Sequence, residues 1–348
     1  TNLTRQNNID FARRAIRFIR ESRDCYIMVG DFTKFFDKLD HGYLKEQWQR
    51  LLHTDRLPPD HYAVFKNITR YSSFELTDLL ELNGLSDTKK GRRELNRKKR
   101  VLSPKELKEN ACRIRQNKDF GIPQGSPISG VLANVYMLKI DRKICDLVAA
   151  YQGLYLRYSD DFIIVLPGIG EAEAIRALTA VSELLNSPAC PGLELQPSKT
   201  QYYHYEDKKL ENCGAAIHKE ADCSNRYLNF LGFTFDGEKV TLRAKTVSKF
   251  YQRMRKKAKT IVRSGGYTKY GNHISKENLY ARYSVRGVAG ERGNFLTYVN
   301  NAQAPGRFGP DEGIGIVAKR NMQKVRQFLK KDYGPFKRKR RGRRGPVI

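Results

Sequence analysis

LYLRYSDDFIIVL, residues 154–166, holds two β-prone runs, LYLRY and FIIVL, joined by Ser159, Asp160 and Asp161. Such a pattern predicts a hairpin with acidic residues at its turn. A single Asp at such a place is ordinarily a turn former. Two adjacent carboxylates between strongly apolar strands are another matter, because like charges repel unless a cation is bound. Hard divalent ions take carboxylate oxygens, so the pair reads as a metal site. A third acid, Asp31, ends the apolar run CYIMVG at 25–30, which reads as a buried strand. Strands lying edge to edge would bring all three carboxylates to one coordination site.

Outward from the hairpin, helical spacing of Ile9, Ala12, Ile16 and Ile19 predicts a helix over 8–21. Asp40 is placed to cap a helix from His41 to Leu52. The loop GIPQGSP at 121–127 leads into a helix with Ser126 as cap and Pro127 in its first turn. The apolar residues of that helix, Ile128, Val131, Leu132, Val135 and Leu138, recur at helical spacing. A helix at 171–186, an extended run at 193–205 and an extended aromatic run LNFLGFTF at 228–235 follow, the last ending at the turn signal Asp236-Gly237. Beyond 240 the chain reads as helical and basic.

The charge balance is one-sided. Lys and Arg number 65 against 37 Asp and Glu, a formal net charge of +28 over 348 residues. Such a field attracts polyanions, and nucleic acid is the commonest large one. Cations concentrate at 89–118, at 243–263, where no acid interrupts them, and in KRKRRGRR at 337–344. The 337–344 run cannot pack a core. No stretch approaches the roughly 20 apolar residues that span a bilayer, and no signal peptide is visible. The six cysteines (25, 112, 145, 190, 213 and 223) form no CxxC pair. Scattered thiols of this kind suggest a reducing, cytoplasmic compartment.

Five motifs stand in one order: DFTKFFD (31–37), GIPQGSPISGVLANVYM (121–137), YSDD (158–161), LELQPSKT (193–200) and FLGF (230–233). Together they resemble the reverse transcriptases, over about residues 8–240. The resemblance implies an α+β right-hand polymerase with an antiparallel palm sheet, interleaved fingers and a helical basic thumb. It implies two Mg²⁺ ions, or Mn²⁺, held by Asp31, Asp160 and Asp161, with the carbonyl of Phe32 as a further ligand. Phe36 would exclude a 2′-hydroxyl, and Gln124, Gly125 and Tyr158 would border the incoming nucleotide. Lys199 would protonate the leaving pyrophosphate, and Arg253, Lys256 and Lys257 would contact the duplex. Asp37 and His41 also match the pattern and read as structural.

The expected domains are fingers in part at 1–30, palm at 31–60, fingers and basic insertion at 61–120, palm at 121–237, thumb at 238–336 and basic tail at 337–348. Only 30 residues precede Asp31, so part of the fingers is expected to lie outside this sequence. Partners would be an RNA template, a DNA or RNA primer and deoxynucleoside triphosphates. The GIPQGSP string is shared with group II intron enzymes, but no maturase-sized segment follows the thumb. Retron signatures NAxxH and VTG are absent. The chain is thus most similar to bacterial abortive-infection and defence-associated reverse transcriptases, which implies anti-phage defence with a dedicated non-coding RNA. Template-independent synthesis, RNA synthesis, or RNA binding of a maturase kind are the alternatives.

Overall fold

The fold is taken from a computed structural model that describes residues 6–196, 199–218, 221, 223–267, 273–274, 276–290 and 293–331. In chain order the elements begin α1 (Asn8–Ser22), β1 (Asp24–Gly30), α2 (Phe35–Lys38), α3 (His41–Leu51), α4 (Pro59–Thr69), β2 (Ser72–Ser73) and α5 (Leu76–Leu82). Then come α6 (Lys89–Leu95), α7 (Pro104–Glu109), β3 (Arg115–Gln116), α8 (Pro127–Ala149), β4 (Leu154–Tyr158), β5 (Asp161–Pro167) and α9 (Glu171–Leu185). The last third holds β6 (Gln201–Glu206), β7 (Lys209–Asn212), α10 (Gly214–Ile217), β8 (Leu228–Phe230), β9 (Phe233–Phe235) and β10 (Val240–Leu242), followed by α11 (Ala244–Arg263), α12 (Glu277–Tyr283), α13 (Phe295–Ala302) and α14 (Asn321–Lys330). This mixture of helices and antiparallel strands is an α+β fold. Five strands form a sheet in the order β4-β5-β1-β6-β7, and β8, β9 and β10 form a second.

One compact unit comprises Thr1–Val29, Ile163–Ile169 and Gln201–Ile348. Here β1 pairs antiparallel with β6, Asp24 opposite Glu206 and Val29 opposite Gln201. Helix α1 starts at a capping box between Asn7 and Asp10 and buries Ile9, Ala12, Ala15, Ile16 and Ile19, the face its spacing predicts. Helix α11 buries Phe250, Met254, Ala258 and Ile261, and the last three pack with Leu279 and Val325.

The other unit comprises Gly30–Phe162 and Gly170–Thr200. Its centre is α8, with α3, α9 and β4 against it. Asp40 caps α3 as predicted, its carboxylate accepting from the Tyr43 N–H at 2.6 Å. Gly30 lies against the ring of Phe162, and a Cβ there would collide with it. The basic stretch from Lys89 folds into α6 and α7, which bury little besides Gly91 and Leu95.

Several readings need correction. Ser126 precedes α8, with Pro127 at its first position, but the serine side chain makes no capping bond. Ser129 instead donates to the Pro123 carbonyl at 2.6 Å. Val131 and Leu138 face outward on α8, 59% and 45% exposed. The buried stripe runs through Leu132, Tyr136, Ile140 and Ile144; in the first half of α8 apolar residues stand on more than one side, so spacing alone does not select a face. The hairpin link is Ser159 and Asp160 only, Asp161 already belonging to β5. Among the described residues of the run at 193–205, strand begins at 201, with an isolated bridge at Leu195. The 228–235 run is itself a hairpin: Leu231 and Gly232 both take positive φ, 48° and 91°, and reverse the chain between β8 and β9. The tail at 337–344 lies outside the described residues.

Burial separates the thiols. Cys25 and Cys190 are buried, whereas Cys112, Cys145 and Cys223 are exposed. Desolvation pushes the Cys190 thiol up to about 12, with the charge of Asp141 adding to the shift. Since the thiolate is the nucleophile, iodoacetamide at pH 8 should label Cys112 and Cys223 in the native protein and reach Cys190 only on unfolding. Peptide mapping of labelled protein, native and in urea, measures this.

Candidate active site

Every residue of the acidic site lies in the unit built around α8. Asp31 follows β1 directly, and Asp161 opens β5, the neighbouring strand. The Gly30–Phe162 contact joins the residue before Asp31 to the residue after Asp161. Only a residue without a side chain lets the two strand ends approach so closely. The rings of Phe35 and Phe162 lie 5.5 and 5.8 Å from that of Phe32, and all three are buried.

The segment after β1 pairs with a distant stretch of chain. The Thr33 N–H donates to Glu194 at 2.9 Å, and the Gln196 N–H donates to the Asp31 carbonyl at 3.1 Å. Phe32 and Leu195 form a bridge between them. The Lys199 N–H donates to the Gln196 carbonyl at 2.9 Å. Lys199 is thereby delivered to Asp31, its Nζ 3.1 Å from Oδ2. The lysine side chain is 55% exposed, so solvent screens the pair and it adds little to stability. Its importance is geometric: two residues 168 positions apart share one place.

The GIPQGSP loop is held at its entry. Gly121 donates to the Leu39 carbonyl at 2.7 Å, and Ile122 to the Phe36 carbonyl at 2.8 Å. At φ 86° Gly121 is in the left-handed region, and a Cβ would meet the Asp37 carbonyl at 2.8 Å. Gly125 also has positive φ, 97°, with open space around it, and Gln124 is exposed. Phe36 is half-buried, its ring edge-on to that of Phe35 at 5.3 Å. Thus one face of Phe36 belongs to the core and part of it stays accessible. His41 is buried, with Nδ1 3.0 Å from the Lys118 carbonyl and Nε2 2.7 Å from that of Gly121. This is the structural role expected of it.

Arg157, one residue before β4 ends at Tyr158, belongs to none of the roles expected from the sequence. Its side chain is 7% exposed and forms a bidentate pair with Asp141 of α8, Nε to Oδ1 at 2.9 Å and Nη2 to Oδ2 at 2.6 Å. Tyr155 donates to the same carboxylate at 2.8 Å. Burial pulls the Arg157 pKa down, but the hydrogen bond and charge of Asp141 outweigh it and leave it above its ordinary value. Burial and Asp141 likewise hold the Tyr155 hydroxyl well above its usual range. The available signal was an arginine within an otherwise apolar strand.

Among the described residues, no three His, Cys, Asp or Glu side chains converge closely enough to hold a metal ion. The donor chemistry nonetheless suits a hard divalent cation: carboxylates stand at neighbouring strand ends, with an ammonium already at Asp31. Arg253 and Lys256 lie exposed on α11 and Lys257 is half-buried beside them, within the other unit.

The family model for reverse transcriptase (RNA-dependent DNA polymerase) matches residues 4–235, and the chain belongs to that family. Its fold is the α+β right-hand polymerase fold expected from the motifs. No curated protein matches the sequence. Similar solved structures include an apo telomerase from Candida Tropicalis truncated from its C-terminal domain, at 15% identity and TM-score 0.40, covering 68% of this chain and 40% of that one. Another is a telomerase from Candida albicans in complex with a TWJ fragment of telomeric RNA, at 13% identity and TM-score 0.39, covering 94% and 44%. The chain thus spans less than half the length of these two proteins. No helix among the described residues is long and apolar enough to cross a membrane.

Replacing His41 by Ala would strip a buried partner from the Lys118 carbonyl while Asn117 still serves Gly121. The Lys118 acceptor is only partly buried, so urea denaturation should show a loss of about 1 kcal/mol, the low end for a stranded acceptor. A His41→Gln variant, keeping one donor, should lose less.

Proposed function

We propose that this protein is an RNA-directed DNA polymerase that extends a primer by two-metal nucleotidyl transfer. The reading is supported chiefly by the meeting of Asp31 and Lys199 beside the acidic turn on the next strand, in a chain of the reverse transcriptase family. Asp31, Asp160 and Asp161 would hold two Mg²⁺, or Mn²⁺, with the Phe32 carbonyl as a further ligand. When bound, the ions activate the 3′-hydroxyl and neutralise charge on the reacting phosphate. Lys199, 3.1 Å from Asp31, would stand where a proton could pass to the departing pyrophosphate. Phe36 stands under the sugar and rejects a 2′-hydroxyl. Gln124, Gly125 and Tyr158 border the nucleotide, the positive φ of Gly125 leaving its backbone open to the ligand.

The palm would comprise 31–60 and 121–237, with fingers at 1–30 and 61–120, thumb at 238–336 and a basic tail at 337–348. Arg253, Lys256 and Lys257 would follow duplex phosphates. By its motif details the chain fits the bacterial defence-associated reverse transcriptases, with a dedicated non-coding RNA as template and a cytoplasmic, anti-phage role.

Purified protein with its co-purifying nucleic acid retained, given Mg²⁺ and labelled nucleotides, should incorporate deoxynucleotides. Asp160→Ala should abolish incorporation, and sequencing the product should identify the template RNA. No incorporation by the wild type would sink the polymerase reading in favour of RNA binding. Phe36→Ala should admit ribonucleotides, read as the ratio of kcat/KM for the two sugars. Arg253→Ala and Lys256→Ala should weaken duplex binding on all sequences, each lowering the slope of log K against log salt by about 1.

A further inference from the structure

The turn between β4 and β5 is two residues long, Ser159 and Asp160. Ser159 has φ 61°. In two-residue hairpins a positive φ at the first central position favours glycine, because a Cβ crowds the backbone there. Something must hold this serine in place. The Nη1 of Arg157 donates to the Ser159 carbonyl at 2.9 Å. The rest of the guanidinium is fixed on α8, by Asp141 and by Asn134, whose Oδ1 lies 3.2 Å from Nη2. Asn134 and Asp141 are seven positions apart and share a helix face.

We propose that Arg157 is a positioning residue for the acidic site, acting through the Ser159 carbonyl. A peptide unit is planar, so holding that carbonyl fixes the plane that runs into the Asp160 Cα, and with it the direction in which Asp160 and Asp161 leave the turn. A buried ion pair is a weak source of stability, and an apolar pair would pack at less desolvation cost. Its value lies in orientation: the fork geometry of a guanidinium serves a carboxylate and a carbonyl together, which an ammonium does not. The anchor is also informative. Helix α8 begins directly after the GIPQGS loop, so one rigid helix registers the acidic turn against the nucleotide loop. This inference rests on the reading of Asp160 and Asp161 as metal-binding carboxylates.

The test uses the full chain and the variants Arg157→Lys, Ser159→Gly and the two combined. Amide hydrogen exchange at residues 159–161, in metal-free protein, reads the turn without reference to catalysis. Single-turnover primer extension then reads the rate, and its dependence on nucleotide gives KM. Arg157→Lys should speed exchange at 159–161 by about tenfold or more and slow the single-turnover step by about 10–100-fold, with KM within about twofold. In the double variant glycine takes φ 61° unaided, so part of the rate should return. Exchange and rate within twofold of wild type in Arg157→Lys, or a rate lost only in proportion to unfolded protein, would overturn the proposal. If Arg157→Lys does not fold, the double variant is compared with Ser159→Gly; faster exchange at 159–161 supports the clamp and equal exchange overturns it. A wild type that incorporates no nucleotide would refute the polymerase reading, while the exchange data still decide whether Arg157 holds the turn.

Discussion

The ring of Phe162 rests on the bare backbone of Gly30, and the spacing of the acidic residues follows from that contact. Carboxylates repel one another, and nothing in their own chemistry would gather them at one end of a sheet. The strand ends that carry them are brought side by side by apolar packing, the ring of Phe32 lying against those of Phe35 and Phe162. Hydrophobic burial is non-directional, so direction comes from elsewhere: the pairing of 31–33 with 194–196 on one side and the Arg157–Asp141 clamp on the other. The site is a product of both, an apolar base that sets distance and polar ties that set angle.

Much of this was legible in the sequence. Helix α1, strand β1, the Asp40 cap and the acidic hairpin each carry a local signal, and local signals survive folding. What stayed hidden was whatever tertiary context decides. The outward placement of Val131 and Leu138 could not be read from α8, because the first half of that helix, Pro127–Leu138, has apolar residues on more than one side and no single face until its neighbours arrive. The 228–235 run looked like one strand because Leu231 is an unlikely residue for a left-handed turn. Arg157 escaped notice because its partner lies on another element. Of the candidate site, the acids stood out in the sequence by their place at strand ends, whereas Lys199 was marked only by the resemblance, since a lone lysine is more often a surface charge. The joining of Lys199 to Asp31 needed the fold.

The electrostatics are organised on two scales. A net charge of +28 acts at long range and falls away with salt. Within the site the balance is local and acidic, answered by single cations, Lys199 at Asp31 and Arg157 at Asp141. The first of these is 55% exposed on the lysine side, and in the second the arginine is buried at 7%.

The pairing of β1 with β6 also bears on how the chain is made. Gln201, where β6 begins, leaves the ribosome about 170 residues after Gly30, which at roughly 5–20 residues per second is on the order of 10–30 s. Throughout that interval the apolar strand CYIMVG has no β6 to satisfy its edge, and an uncovered edge of this kind invites pairing with another chain. The strand that leads into Asp31 is therefore exposed to misassembly during synthesis, and a chaperone bound to it in that interval would guard it.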